Sequence, residues 1–196
     1  MASASILPDA TPGLPWYAVR VRSHCENMAA AMLDSRGYER FLPTYLSRRR
    51  WSDRTRQLQV PLFPGYVFCR FDAARRVPVL ECAGVAGIVA FGSRPAPIPG
   101  EEIASIRAIL ESSLPFEPYP FLAPGQKIRL DRGPLAGVEG AVVELKSGFR
   151  LVASVTLLQR SVSVEIDREW ACPLSGPAPL PWLLPPRVTP HARPAS

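Results

Sequence analysis

The sequence predicts an α+β protein: a mostly antiparallel sheet with flanking helices, followed by a small all-β barrel. Three observations lead there. Short, alternating, β-branched runs recur along the whole chain. Segments with helical composition or periodicity occur only in its first part. A proline cluster at Pro115, Pro118, Pro120 and Pro124 separates the two parts.

Taken in order, W-Y-A-V-R-V (16–21) alternates and is predicted to be a strand. Ser23 is placed to cap a following helix built on Ala29, Ala30, Ala31, Met32 and Leu33, and Gly37 stands where a C-terminal glycine ends one. Strands are expected at 39–46 and 57–60, with a polar, arginine-rich turn between them. The aromatic stretch over 65–71 is a further extended run. A short helix is expected around 73–80 despite Pro78, then a strand over 87–91. In P-G-E-E-I-A-S-I-R-A-I-L (99–110), Ile103, Ile106 and Leu110 share a helical face, and the acids at its start suit the helix dipole. Beyond the prolines, G-Q-K-I-R-L, A-V-V-E-L, F-R-L-V-A-S-V-T-L-L and V-S-V-E-I are short strands separated by turn glycines, the spacing of a small barrel. The domain reading is therefore an N-terminal tail (1–14), a first unit (15–113), an extended Pro-rich linker (114–123), a barrel (124–172) and a Pro-rich tail (173–196), both tails expected to be disordered.

Composition bounds the function. The chain has 196 residues, 47% hydrophobic and 20% charged, which is globular usage. Formal net charge is +6, and all basic residues but Lys127 and Lys146 are arginine, the side chain whose fork fits phosphate. Residues 15–114 hold 14 Arg/Lys against 9 Asp/Glu, and residues 124–170 hold 7 against 6, so the excess charge lies in the first unit. The four cysteines (Cys25, Cys69, Cys82, Cys172) show no C-x-x-C spacing, and the two histidines are far apart; no metal site and no cofactor are expected. His24 and Cys25 are adjacent, but a nucleophile and its base need spatial apposition and an orienting third group. With no carboxylate pair or phosphate loop, an enzyme is not expected. There is no secretory signal and no apolar run of transmembrane length, so a cytoplasmic, monomeric protein without a membrane role is expected.

Several motifs then converge. Trp16-Tyr17, Leu42-Pro43-Thr44, Phe63-Pro64-Gly65-Tyr66-Val67-Phe68, and Gly84-Val85 followed by Phe91-Gly92 resemble the N-terminal domain of NusG-type transcription factors. Gly133, Gly137 and Gly140, with L-V-A-S-V-T-L-L after them, resemble a KOW domain, an SH3-like barrel. The flavour P-L-F-P-G-Y-V-F resembles the specialised RfaH and UpxY type. The resemblance implies an elongation or antitermination factor that docks on the clamp helices of RNA polymerase, bridges the cleft over DNA, and suppresses pausing or termination.

The same resemblance assigns sites. Alternation puts Tyr66, Phe68 and Arg70 on one strand face and Val67, Cys69 and Phe71 on the other. Val67, Cys69 and Phe71 are expected core. Tyr66 and Phe68, with Phe91, Ile103 and Ile106, match positions lining the polymerase-docking patch, and Phe63 frames it; the patch is expected to be exposed. Arg48, Arg49, Arg50, Trp51, Arg54 and Arg56 form the densest charge, either a solvated hairpin tip or a contact to upstream or non-template DNA with Trp51 stacking on a base. Arg22 keeps the family's basic residue after the first strand, whereas Cys82 and Ala83 lack the basic and hydroxyl residues that would read a DNA element. Leu158 stands where housekeeping members use an aromatic to touch Rho or a ribosomal protein; it is either that contact or a core leucine. The barrel is expected to be β rather than helical, flexibly joined, and not to mask Tyr66 and Phe68. The rival binding function, a ribosome- or RNA-associated KOW protein, is disfavoured because the charge lies outside the barrel.

Overall fold

The computed structural model describes residues 13–51, 54–120, 127–145 and 148–174. Most of the predicted tails (1–12 and 175–196), the end of the predicted linker (121–123) and the first residues of the predicted barrel (124–126) lie outside the described residues.

The first sheet is organised by β1 (Trp16–Val21), as its alternation predicts. It pairs antiparallel with β5 (Tyr66–Arg70), which in turn pairs with β2 (Glu39–Phe41). On its other side lie β6 (Val85–Ile88) and β9 (Pro97–Ile98). The two faces bury separate cores. On one face Tyr17, Val19, Val21, Val67, Cys69 and Phe71 pack under α1 (Glu26–Ser35), whose buried Glu26, Ala29, Ala30 and Leu33 recur at i, i+3, i+4 and i+7. Helix α1 starts from Cys25 without a side-chain cap, so the expected role of Ser23 is corrected. It ends as expected, with Gly37 at φ +79° and the amides of Gly37 and Tyr38 returning to the carbonyls of Asp34 and Leu33. On the other face Trp16, Ala18, Phe41 and Phe68 meet α3 (Gly100–Glu111).

Between these lie three smaller elements. The chain from 39 to 61 breaks at Pro43, so the expected strand over 39–46 is two: β2, then β3 (Thr44–Trp51), which forms a separate hairpin with β4 (Arg54–Pro61). The region 73–80 is a 3-10 turn followed by the one-turn α2 (Val77–Leu80), which tolerates Pro78 in its first turn, where no amide is needed. The expected strand over 87–91 is divided between β6 and β7 (Ala90–Phe91), which pairs with β8 (Arg94–Pro95).

The second unit is a six-stranded antiparallel barrel sheet. Its order is β10 (Phe116–Pro120), β14 (Arg160–Ile166), β13 (Gly148–Val155), β12 (Glu139–Leu145), β11 (Lys127–Leu130), β15 (Ala171–Pro173). Its interior is filled by Ile128, Leu130, Leu135, Leu151, Ala153, Val155, Val162 and Val164. The expected linker is corrected here: Phe116–Pro120 is extended, as prolines require, but it pairs along β14 from Phe116↔Val164 to Pro120↔Arg160. As an edge strand it needs amides on one side only, which is where proline is tolerated. Only 112–115 then separate α3 from the barrel's first strand.

The glycine motif has a packing cause. A Cβ on Gly140 would fall 2.6 Å from the Val152 carbonyl oxygen, where β12 and β13 cross closely. We therefore expect Gly140→Ala to cost about 1–3 kcal/mol in urea unfolding, the usual cost of overpacking. Gly100→Ala, at a helix start with open space around its Cβ position, should be neutral or slightly stabilising. Equal effects of the two substitutions would refute the packing explanation.

Candidate docking face and arginine hairpin

The F-P-G-Y turn is fixed from two directions. Gly65 adopts φ +85°, a left-handed conformation that suits glycine. Its N–H donates to Glu26 Oε1 at 2.9 Å, and its carbonyl accepts from the Val21 N–H at 2.9 Å. Glu26 is buried in the first turn of α1, so the helix, the central strand and the turn are tied at one point. This aims Phe63 inward, edge-on to Phe68 with ring centroids 5.3 Å apart, while the Phe41 and Phe68 ring centroids are 6.2 Å apart.

Five of the six predicted patch residues are brought together. Phe63, Phe68, Ile103 and Ile106 lie in one apolar cluster, and Tyr66 packs half-buried against it. Phe91 does not join them; it is 76% exposed on the β7–β8 hairpin. The expected exposure is corrected for the other four, since Phe63 and Phe68 are 1% and 0% exposed and Ile103 and Ile106 are 2% and 0%. The cause is α3, which lies over the sheet and carries the barrel on another flank. Glu102, at its start, accepts the Thr156 N–H at 3.1 Å and the Thr156 hydroxyl at 2.7 Å, and α3 packs along β12 and β13. One continuous cluster runs from Phe63 and Phe68 through α3 to Leu151 and Val164. The barrel is β, as expected, but it does not stand free of the docking face. Leu158, in the 3-10 turn Thr156–Leu158, is half-buried against the same cluster.

The arginine run is corrected from a turn to strands. In the β3–β4 register Arg48 is opposite Gln57, Arg49 opposite Arg56, Arg50 opposite Thr55 and Trp51 opposite Arg54. The hairpin springs from the docking face, because Tyr45 packs on the cluster and the Leu62 N–H binds the Pro43 carbonyl at its base. Arg22 is exposed just after β1, its amide bonded to the Gly84 carbonyl.

Three features were not legible from residue types: the Glu26–Gly65 tie, the Glu102–Thr156 contact, and the stacking of Arg70 and Arg107 on Trp16. The first had a signal, an acid at the start of a helix, but nothing local named Gly65 as its partner. Burial pushes the Cys69 thiol up to about 12, so it is not a thiolate at neutral pH. Among the described residues no three His, Cys, Asp or Glu side chains are grouped to hold a metal ion, and no helix is long and apolar enough to cross a membrane.

Burial changes what a substitution here measures. Phe68→Ala should lower unfolding free energy by about 3–5 kcal/mol, the cost of emptying a closed aromatic site. A cost below about 1 kcal/mol in chemical denaturation would mean that the ring is solvent-exposed in solution.

Similar proteins match most of the chain. A family model described as transcription termination factor nusG matches residues 14–107. The transcription termination/antitermination protein NusG of Escherichia coli strain K12 is 30% identical over 173 residues, covering 80% of this chain and 94% of that protein. The NusG of Thermus thermophilus is 27% identical over 179 residues, covering 79% and 95%. Among solved structures, "Domain interaction in Thermotoga maritima NusG" is similar at 19% identity and a TM-score of 0.45, covering 80% of this chain and 95% of that one. With a first unit built on the F-P-G-Y turn and a β-barrel behind it, the chain belongs to the NusG family.

Proposed function

We propose that this protein is a non-enzymatic transcription elongation and antitermination factor that docks on the clamp helices of RNA polymerase and disfavours the paused state. The observation that carries this is the convergence of Phe63, Tyr66, Phe68, Ile103 and Ile106 on one face, directly at the root of an arginine-bearing hairpin. A binding surface of that kind acts by differential affinity: a factor that holds both sides of the cleft in the elongating geometry shifts the population away from pausing.

Docking on this face competes with the barrel. Phe68 lies under α3 and the barrel covers another flank of that helix, so release of the barrel frees that flank for a clamp helix, while Tyr66 and Phe91 supply the first accessible contacts. The arginines, with Arg22, are read as phosphate contacts to upstream or non-template DNA. The released barrel is then free to recruit a further partner, a ribosomal protein or Rho, through Leu158. Leucine in place of an aromatic there, together with P-L-F-P-G-Y-V-F, supports a specialised antiterminator of the RfaH or UpxY type over one that recruits Rho strongly.

The reading is tested on reconstituted elongation complexes. Replacing Arg48, Arg49, Arg50, Arg54 and Arg56 by Ser should flatten the salt dependence of binding, by about 0.9 in log–log slope for each duplex phosphate that is no longer neutralised. Phe91→Ala should leave stability within about 0.5 kcal/mol, as expected of an exposed side chain. It should weaken polymerase binding by at least about 1 kcal/mol. An unchanged slope would return the arginines to solvated surface. Purification with ribosomal particles instead of polymerase would replace the reading altogether.

A further inference from the structure

The strand that joins the two units is lightly held. β10 pairs only along β14, and none of its residues from Phe116 to Tyr119 is buried. It supplies nothing to the barrel's closed interior; Phe116 packs half-buried against the apolar cluster. Pro118 and Pro120 have no amide, so the donors that β10 gives to β14 come from the alternate residues Glu117 and Tyr119. One side chain reinforces this short ladder. Arg150 of β13 reaches across β14, and its Nη1 donates to Glu117 Oε1 and lies 3.4 Å from Ser163 Oγ. Its Nη2 donates to Glu165 Oε1 at 3.1 Å. Ser163 and Glu165 belong to β14, so Arg150 keeps its place and two partners without Glu117.

Opening such a contact strands no buried charge. The Glu117 side chain is 57% exposed and returns to water, while Arg150 remains paired with Glu165. We propose that β10 is a detachable strap: it peels from β14 while the barrel stays folded, lengthening the connection between the units, and the Arg150–Glu117 pair is its latch. With the strap closed, 112–115 alone join α3 to β10, a span of at most about 14 Å. Release raises the connection from four residues to nine, or about 32 Å. The prolines suit a strand that separates, because they leave its outer edge without donors at 118 and 120 and make a freed β10 a poor template for stray pairing. The use of the added reach rests on the proposed docking, in which the barrel leaves α3; the latch does not.

Native-state hydrogen exchange of the full-length protein, followed residue by residue by NMR and corrected for intrinsic rates, reads the strap directly. The Glu117 and Tyr119 amides should exchange at least about tenfold faster than those of Leu151 and Val152, which lie between two strands in β13 and open only with the barrel. Glu117→Gln should speed the two strap amides by about a further threefold, what a half-exposed ion pair supplies, and leave Leu151 and Val152 unchanged. Glu165→Gln takes an ion pair from the same arginine but leaves the latch, so it should not speed them. Strap amides that exchange in step with Leu151 and Val152, or that respond equally to the two substitutions, would overturn the inference. No polymerase enters the measurement, so a failure of docking leaves the strap standing, and a strap that opens only with the barrel leaves the docking face standing.

Discussion

Helix α3 has apolar surface on more sides than one neighbour can cover, and the rest of the structure follows from that. Ile103, Ile106 and Ile109 are all closed from solvent, within a cluster that includes the sheet residues Trp16, Ala18 and Phe68 and the barrel's interior. Fully burying an isoleucine contributes about 1.5–3 kcal/mol, so leaving this helix half-covered would be expensive. The barrel's position is therefore an energetic consequence of α3 as well as of the chain path. Its tether reinforces it: with Phe116–Pro120 built into the barrel, 112–115 alone connect the two. A connection that short keeps the barrel at high effective concentration beside the helix and makes a weak contact count.

That constraint bears on function through Phe68. A residue cannot be both a closed core position and a free docking anchor in one conformation. In the described arrangement Phe68 is core, while Tyr66 is half-buried and Phe91 is open. The exposed polar contact between Glu102 and Thr156 is the part of the closure that water and salt can compete with. On the proposed docking, the apolar part is replaced by a clamp helix that buries the same isoleucines. A partner would thus exchange one cover for another, and the net driving force is a difference between two similar burials.

Much of the fold was legible because local and global preferences agree. Trp16–Val21 alternates and is the central strand, Gly37 closes α1 in a left-handed conformation, and Gly100–Glu111 is helical within a residue of its expected bounds. The departures have physical sources. Prolines at 118 and 120 read as a linker because proline lacks a donor, yet an edge strand asks for donors on one side only. The arginines of 48–56 read as a turn because they are polar, yet a two-stranded hairpin needs no apolar face along its length. For the candidate site, the gathering of Phe63, Tyr66, Phe68, Ile103 and Ile106 was legible from the motif and the family resemblance; the separation of Phe91 and the burial of the others were not. Alternation shows that Tyr66 and Phe68 share a face, but whether solvent, a helix or a second domain covers that face depends on contacts distant in sequence, such as Glu102 with Thr156.

The central proposal is that the barrel and the polymerase compete for α3. Glu102→Ala tests it most directly, through the affinity of the full chain for core RNA polymerase measured beside its thermal stability. Removing a carboxylate that accepts two exposed hydrogen bonds from Thr156 loosens the barrel by about 0.5–1 kcal/mol without touching Phe68 or Tyr66. Competition predicts tighter polymerase binding, by up to about tenfold for each 1.4 kcal/mol of closure removed. Affinity that is unchanged, or that falls while the first unit remains folded, would contradict it and would make the barrel contact a bystander to docking.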